Sequence, residues 1–205
     1  MWIPEKYKIE DQKIIKEFID CVGLAALVTM SSDFPVATHT PIELEYDENG
    51  KQILRGHIAK ANPQSKILET QPNVLVIFQS SIQHYISSFW YEKPNAPTWN
   101  YMAVHIYGKV RILNEEEVHN SVNRLTKRHE KISKCPVSLE SLPNTIQGML
   151  KGVTGFEIPV NRVEAAFKLS QNKNEKDLTS IIEELEILNT PLSKIMSQTL
   201  KKYKL

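Results

Sequence analysis

Residues 36–58 read VATHTPIELEYDENGKQILRGHI. Val36–Tyr46 alternates loosely between apolar and polar, Asp47-Glu48-Asn49-Gly50 is a turn sequence, and Gln52–Ile58 returns as an antiparallel partner. The same strand-and-turn pattern recurs on both sides of this hairpin. Leu24–Ser31 is a short apolar run of the kind that forms a buried strand. Asn73–Gln79 (NVLVIFQ) has the composition of a central strand, and His84–Ser87 extends the sheet. Trp99–Leu113 predicts a long strand with a bend at Gly108. Roughly half of the chain is thus consecutive strands with short connections, which favours an antiparallel barrel over alternating parallel units.

Helices flank these strands. Asp11–Cys21 places Ile14, Ile15, Phe18 and Ile19 at helical spacing. Asn62-Pro63 is a helix-start signal for a short helix ending near Thr70. Asn114 is placed to cap a helix reaching Ile132, with three acids in its first turn and bases later, as the helix dipole prefers. Leu139–Lys151 predicts a further helix weakened by Pro143, and Gly152–Ser170 returns to strand. Glu175–Leu188 and Pro191–Tyr203 predict two terminal helices. The expectation is one domain over residues 1–205, with residues 174–205 as its helical appendage.

Composition narrows the function classes. Lys and Arg number 25 against 24 Asp and Glu, so no whole-protein basic field exists to recruit nucleic acid or anionic lipid. The cysteines, Cys21 and Cys135, form no CxxC pair, which fits a reducing, cytoplasmic compartment. The start, MWIPEKYKIEDQK, holds no apolar signal core, and Val22–Met30 is about half of the roughly 20 residues that a membrane span needs. The six histidines are scattered without HxH or HExxH, so no metal centre is expected. There is no GxSxG elbow, no Walker pattern and no GxGxxG.

Three stretches are equipped for ligand chemistry. In Arg55–Lys66 (RGHIAKANPQSK) a strand delivers the chain into a helix start, whose free N–H groups attract anions. Arg55, His57 and Ala59 share one strand face, and Lys60 and Lys66 add donors, a constellation suited to a phosphate; the bland reading is a solvated strand end with a structural cap. Tyr85–Tyr107 concentrates Trp90, Trp99 and five tyrosines or phenylalanines among Ser, Thr and Asn. Such a surface can hold a flat ring, or be core and loop. Within it Met102, Val104 and Ile106 form the better core face, leaving Tyr101, His105 and Tyr107 on the wetter one or at a subunit interface. Phe167–Asn172 (FKLSQN) crowds hydrogen-bonding groups at a strand end, for a ligand or for closing the strand.

At HIAKANPQ (57–64), YISSFWY (85–91), PTWNY (97–101), AVHIYG (103–108) and FKLSQN (167–172) the chain resembles the PaiB-type FMN-binding negative transcriptional regulators. MWIPEKY also looks like that family's start. The resemblance implies an α+β fold, a mainly antiparallel six- to seven-stranded split β-barrel with peripheral helices, binding FMN as a homodimer with the flavin at the subunit interface. It implies that His57, Ala59, Lys60 and Asn62 match a cofactor-contacting segment. Trp99, Asn100 and Tyr101 match the aromatic signature, and Lys168, Ser170, Gln171 and Asn172 the C-terminal one; Tyr85 and Ser87, in the YISSFWY segment, are further cofactor-binding candidates. The leading expectation is a flavin-binding regulator without catalysis. The alternatives are a flavin-dependent oxidoreductase of the same fold, with His57, His105 and His129 as its acid–base candidates, and a haem-binding split barrel. Direct DNA binding fits poorly. The candidate recognition helix begins Pro191-Leu192-Ser193, whereas its bases (Lys194, Lys201, Lys202, Lys204) crowd toward the C-terminus.

Overall fold

The computed structural model describes residues 1–203; Lys204, counted above among the C-terminal bases, lies outside the described residues. In chain order the elements are β1 (Lys8–Ile9), α1 (Gln12–Val22), β2 (Leu24–Met30), β3 (Pro35–Tyr46), β4 (Gln52–Ala59), α2 (Gln64–Thr70), β5 (Asn73–Gln79) and β6 (His84–Ile86). They continue as β7 (Thr98–Lys109), β8 (Arg111–Ile112), α3 (Glu115–His129), α4 (Asn144–Gln147), β9 (Val153–Lys168), α5 (Glu175–Leu188) and α6 (Pro191–Lys202). Two compact units result. One comprises Met1–Ile15, Gln79–Val104 and Glu164–Leu205, the other Lys16–Phe78 and His105–Val163.

The larger unit is the barrel. Its hairpins pair β2 with β3 (Leu24↔Pro41 to Met30↔Pro35) and β3 with β4 (Ile42↔Gly56 to Tyr46↔Gln52). Strand β5 lies antiparallel on β2, with Leu27 opposite Val76. Strand β4 pairs with β9 from Ile53↔Pro159 to Ala59↔Val153. The order β4-β3-β2-β5-β7, with β9 bonded to both β4 and β7, closes a ring of six antiparallel strands. Alternation drives the closure, because every second residue turns inward. Leu27, Leu54, Val76, Phe78, Ile106, Phe156 and Ile158 are at most 1% exposed, and burying such side chains stabilises by about 1.5–3 kcal/mol each.

One sequence expectation changes here and another gains a reason. Strand β7 runs through Gly108 to Lys109, and the ladder breaks at Val110. Glycine is needed at 108 because a Cβ there would collide with both Ile158 Cγ2 and the Pro159 carbonyl oxygen. The expected helix Leu139–Lys151 is instead a broken series, with 3-10 turns at Leu139–Ser141 and Gly148–Gly152 flanking α4. Pro143 stops the first turn, since it has no N–H to continue a ladder. By contrast, Asn114 caps α3 as expected, its Oδ1 accepting from Glu117 N at 2.9 Å within a full capping box.

The smaller unit packs a hairpin, the end of β9 and two helices. Strand β6 pairs with β7 as His84↔Asn100, Tyr85↔Trp99 and Ile86↔Thr98, and β1 pairs with β9 as Lys8↔Ala166 and Ile9↔Ala165. Its core is Ile86, Val104, Phe167, Ile181, Leu185, Met196 and Leu200. Asn189, at φ 54, ends α5 in the left-handed conformation, and the Thr190 side chain caps α6 by accepting from Ser193 N at 3.1 Å.

Candidate functional site

In the larger unit, β4 carries the first group of candidates. Leu54, Gly56 and Ile58 face inward, so Arg55 and His57 share the opposite face, as the strand period requires. Gly56 keeps that packing tight: a Cβ there would meet Phe156 at 2.7 Å. The outward pair does not act together. Arg55 Nε and NH2 donate to Glu157 Oε2 at 2.9 and 2.6 Å, and its NH1 donates to Glu45 Oε2. Arg111 and Arg124 brace the same carboxylates. Burial disfavours the Arg55 charge, yet the bonds from Glu157 and Glu45 outweigh it and raise the pKa. Arg55 is therefore an ion-network residue with its donors committed.

His57 is half-buried, and burial alone lowers its pKa, so the ring is neutral at pH 7. Asn62 closes the start of α2: its Oδ1 accepts from Gln64 N at 2.9 Å and its Nδ2 donates to Thr38 Oγ1 at 2.8 Å. Ser65 N and Lys66 N donate to the carbonyls of Asn62 and Pro63. These first-turn N–H groups are thus satisfied internally, and the expected anion seat on the helix start is not formed. Anion attraction falls to side chains instead. Lys60 and Ala59 are exposed, and the Lys60 backbone is pinned by its N–H to the Gly152 carbonyl at 2.8 Å. Among the described residues the Lys60 ammonium has no carboxylate partner. Lys60 stands on a cleft of about 280 Å³ floored by Leu113, Val118, Leu150 and Val153 and edged by His119 and Lys151. Glu69 and Glu115 also line it. His119 and Lys151 went unnoticed in the sequence because a continuous helix through Lys151 hid the turn that delivers it.

The second group sits in the smaller unit. Tyr85 and Trp99, cross-strand partners, meet edge to face at 6.0 Å and are 45% and 54% exposed. Tyr101 is half-buried, and Ser87 caps the 3-10 turn Ser88–Trp90. Asn100 is fully buried; its Nδ2 donates to Ser170 Oγ at 3.0 Å, and Ser170 Oγ lies 3.2 Å from Asn100 Oδ1. Gln171 folds back on its own strand, accepting from Leu169 N at 2.8 Å and donating to the Phe167 carbonyl at 2.6 Å. Asn100, Ser170 and Gln171 thus spend their polar groups on the fold. Lys168 donates to Thr98 Oγ1, and Asn172 Oδ1 accepts from Tyr7 OH at 3.1 Å. Both face a pocket that also gathers Tyr91, from the aromatic stretch, and Lys6 and Lys173, the two lysines not standing out in the sequence as ligand-binding candidates.

The closed antiparallel ring is a split-barrel fold. Comparisons with known proteins agree. Residues 1–162 match the family described as "Putative FMN-binding domain". The chain is 37% identical over 202 residues to the Bacillus subtilis protein "Protease synthase and sporulation protein PAI 2", covering 98% of this chain and 97% of that one. In fold it is similar to the FAD and heme binding protein from Mycobacterium smegmatis, with a TM-score of 0.62, 13% identity and coverage of 79% of this chain and 73% of that one. The flavocytochrome Anf3 from Azotobacter vinelandii gives a TM-score of 0.59 and 18% identity, covering 84% and 75%. The chain belongs to this FMN-binding family, alongside the PAI 2 protein. In the larger unit Lys60 fits FMN, whose phosphate needs an uncommitted cation.

Proposed function

We propose that the protein is an FMN-binding regulatory protein that acts as a homodimer, with the flavin at the subunit interface. The observation that carries the reading is Lys60: an exposed ammonium, unpaired among the described residues, on a backbone pinned at the end of a barrel strand. It supplies the charge-assisted bond that a terminal phosphate rewards. Neutral His57 lies on the same strand face two residues from Ala59 and offers an uncharged donor. The site is composite, and Tyr85 and Trp99 of the second copy supply ring-stacking surface. Bound FMN supplies a redox-active, coloured ring. The regulatory part rests on similarity to the PAI 2 protein, whose name refers to protease synthesis and sporulation.

Regulation through a ligand or protein partner suits the C-terminal helices better than base reading does. Ser193, near the start of α6, is fully buried, and Lys201 is paired with Glu186 at 2.5 Å. The visible spectrum of the purified protein, followed by calorimetric titration with FMN, FAD and riboflavin, tests the reading. Flavin bands and a clear preference for FMN are expected. Equal affinity for riboflavin overturns the phosphate assignment, and a Soret band overturns the flavin itself.

A further inference from the structure

The pocket in the smaller unit, about 190 Å³, has a basic and aromatic lining. Lys6, Lys168 and Lys173 bring three ammonium groups to it, Tyr7 and Tyr91 bring two rings, and none of its lining residues is Asp or Glu. By contrast, Arg55, Arg111 and Arg128 each hold carboxylates. Among the described residues, the three pocket lysines have none within ion-pair distance. Lys168 donates only to the Thr98 hydroxyl. Lys6 and Lys173 lie over the rings of Tyr7 and Tyr91, at 5.2 and 4.6 Å. The Lys168 pKa is pulled down, first by burial and then by the neighbouring charges of Lys6 and Lys173. Like charges converging on a half-buried ammonium are unfavourable until an anion joins them.

Two further features point the same way. Tyr91 is 5% exposed, and its hydroxyl is buried with no hydrogen-bond partner among the described residues. Buried hydroxyls are normally bonded, and the Tyr91 ring itself lines the pocket beneath the Lys173 ammonium. Ser170, also lining the pocket, holds φ at 59°. A non-glycine residue tolerates that conformation where the surroundings impose it, here through the buried Ser170–Asn100 bonds, and such strain clusters at ligand clamps.

We infer that this pocket binds a small multivalent anion, carrying two or more carboxylate or phosphate charges, as a second ligand besides the flavin. The volume admits inorganic phosphate or a compact polycarboxylate. The inference stands on residues other than Lys60 and survives if flavin binding fails.

Calorimetric titration with inorganic phosphate and with citrate, at low ionic strength, on both flavin-loaded and flavin-free protein, is the test. Saturable binding of at least one probe is expected in both forms, weakening as salt rises. K6Q/K173Q should lose it tenfold or more with FMN affinity and melting temperature unchanged. K60A should bind the probe normally. The proposal is overturned if neither probe saturates, if K6Q/K173Q binds like the parent, or if FMN and the probe compete, which would assign the pocket to the flavin itself.

Discussion

Arg55, in the middle of β4, and Lys60, just past its end, are both cations, and their surroundings give them opposite roles. Arg55 is held by two carboxylates and contributes to the barrel wall; Lys60 is exposed and uncommitted. Lys60→Ala should therefore weaken FMN binding by about 1.5–3 kcal/mol, the range for hydrogen bonds to charged groups, with an unchanged melting temperature. Normal FMN binding with a sharply lowered melting temperature would make the lysine structural. His57 carries a pH signature instead. Burial lowers its pKa from the ordinary 6.5, so the unfolded chain binds the proton more readily than the fold. Stability from the neutral ring is complete above about pH 6.5 and is lost as the pH falls below that value toward the folded pKa. Urea unfolding of flavin-free protein between pH 5 and 8 should show this acid limb, and His57→Gln should flatten it. An identical limb in the variant would place its origin elsewhere.

Strand β9 shows why an element's sequence can be read while its partners cannot. Its neighbour β7 was legible as a long strand with a special glycine, but the reason for that glycine lies fifty residues away, in the backbone of Pro159. Gly108→Ala forces a methyl group against backbone that cannot yield, and overpacking of this kind costs typically 1–3 kcal/mol, occasionally more. At Gly148 an added methyl group would have no neighbour within 4 Å, and the backbone is right-handed, so Gly148→Ala should be neutral or stabilise by about 0.4–1 kcal/mol. Denaturant midpoints of the two variants check this; equal shifts would refute the close approach. Strand β5 and helix α5 have the bounds that their periodicity and caps predicted, because those signals are local. The Arg55–Glu157 pair spans 102 residues, and the three pocket lysines come from opposite ends of the chain. No local pattern announces such contacts, so the sequence showed the cations without showing which were free.

The molecule as a whole leaves a set of aromatic side chains in water that a soluble monomer has little reason to keep. On the smaller unit Tyr85, Phe89 and Trp99 are 45%, 81% and 54% exposed, and Tyr85 and Trp99 stack edge to face as one surface. Contiguous apolar patches of this type mark interaction sites. The formal net charge of +1 gives two copies almost no mutual repulsion. A second copy of the chain is the occupant that the family resemblance implies, and a two-fold arrangement lets one patch serve both partners. Sedimentation velocity across a range of concentrations should therefore give twice the 23.5 kDa chain mass. Trp99→Glu places a charge in the middle of the patch while leaving the buried face of β7 intact. It should shift the protein toward single chains, with the melting temperature of the monomer limb independent of concentration. Sedimentation of the parent as a single chain at every concentration defeats the dimer, and a Trp99→Glu protein that stays dimeric moves the interface away from this hairpin.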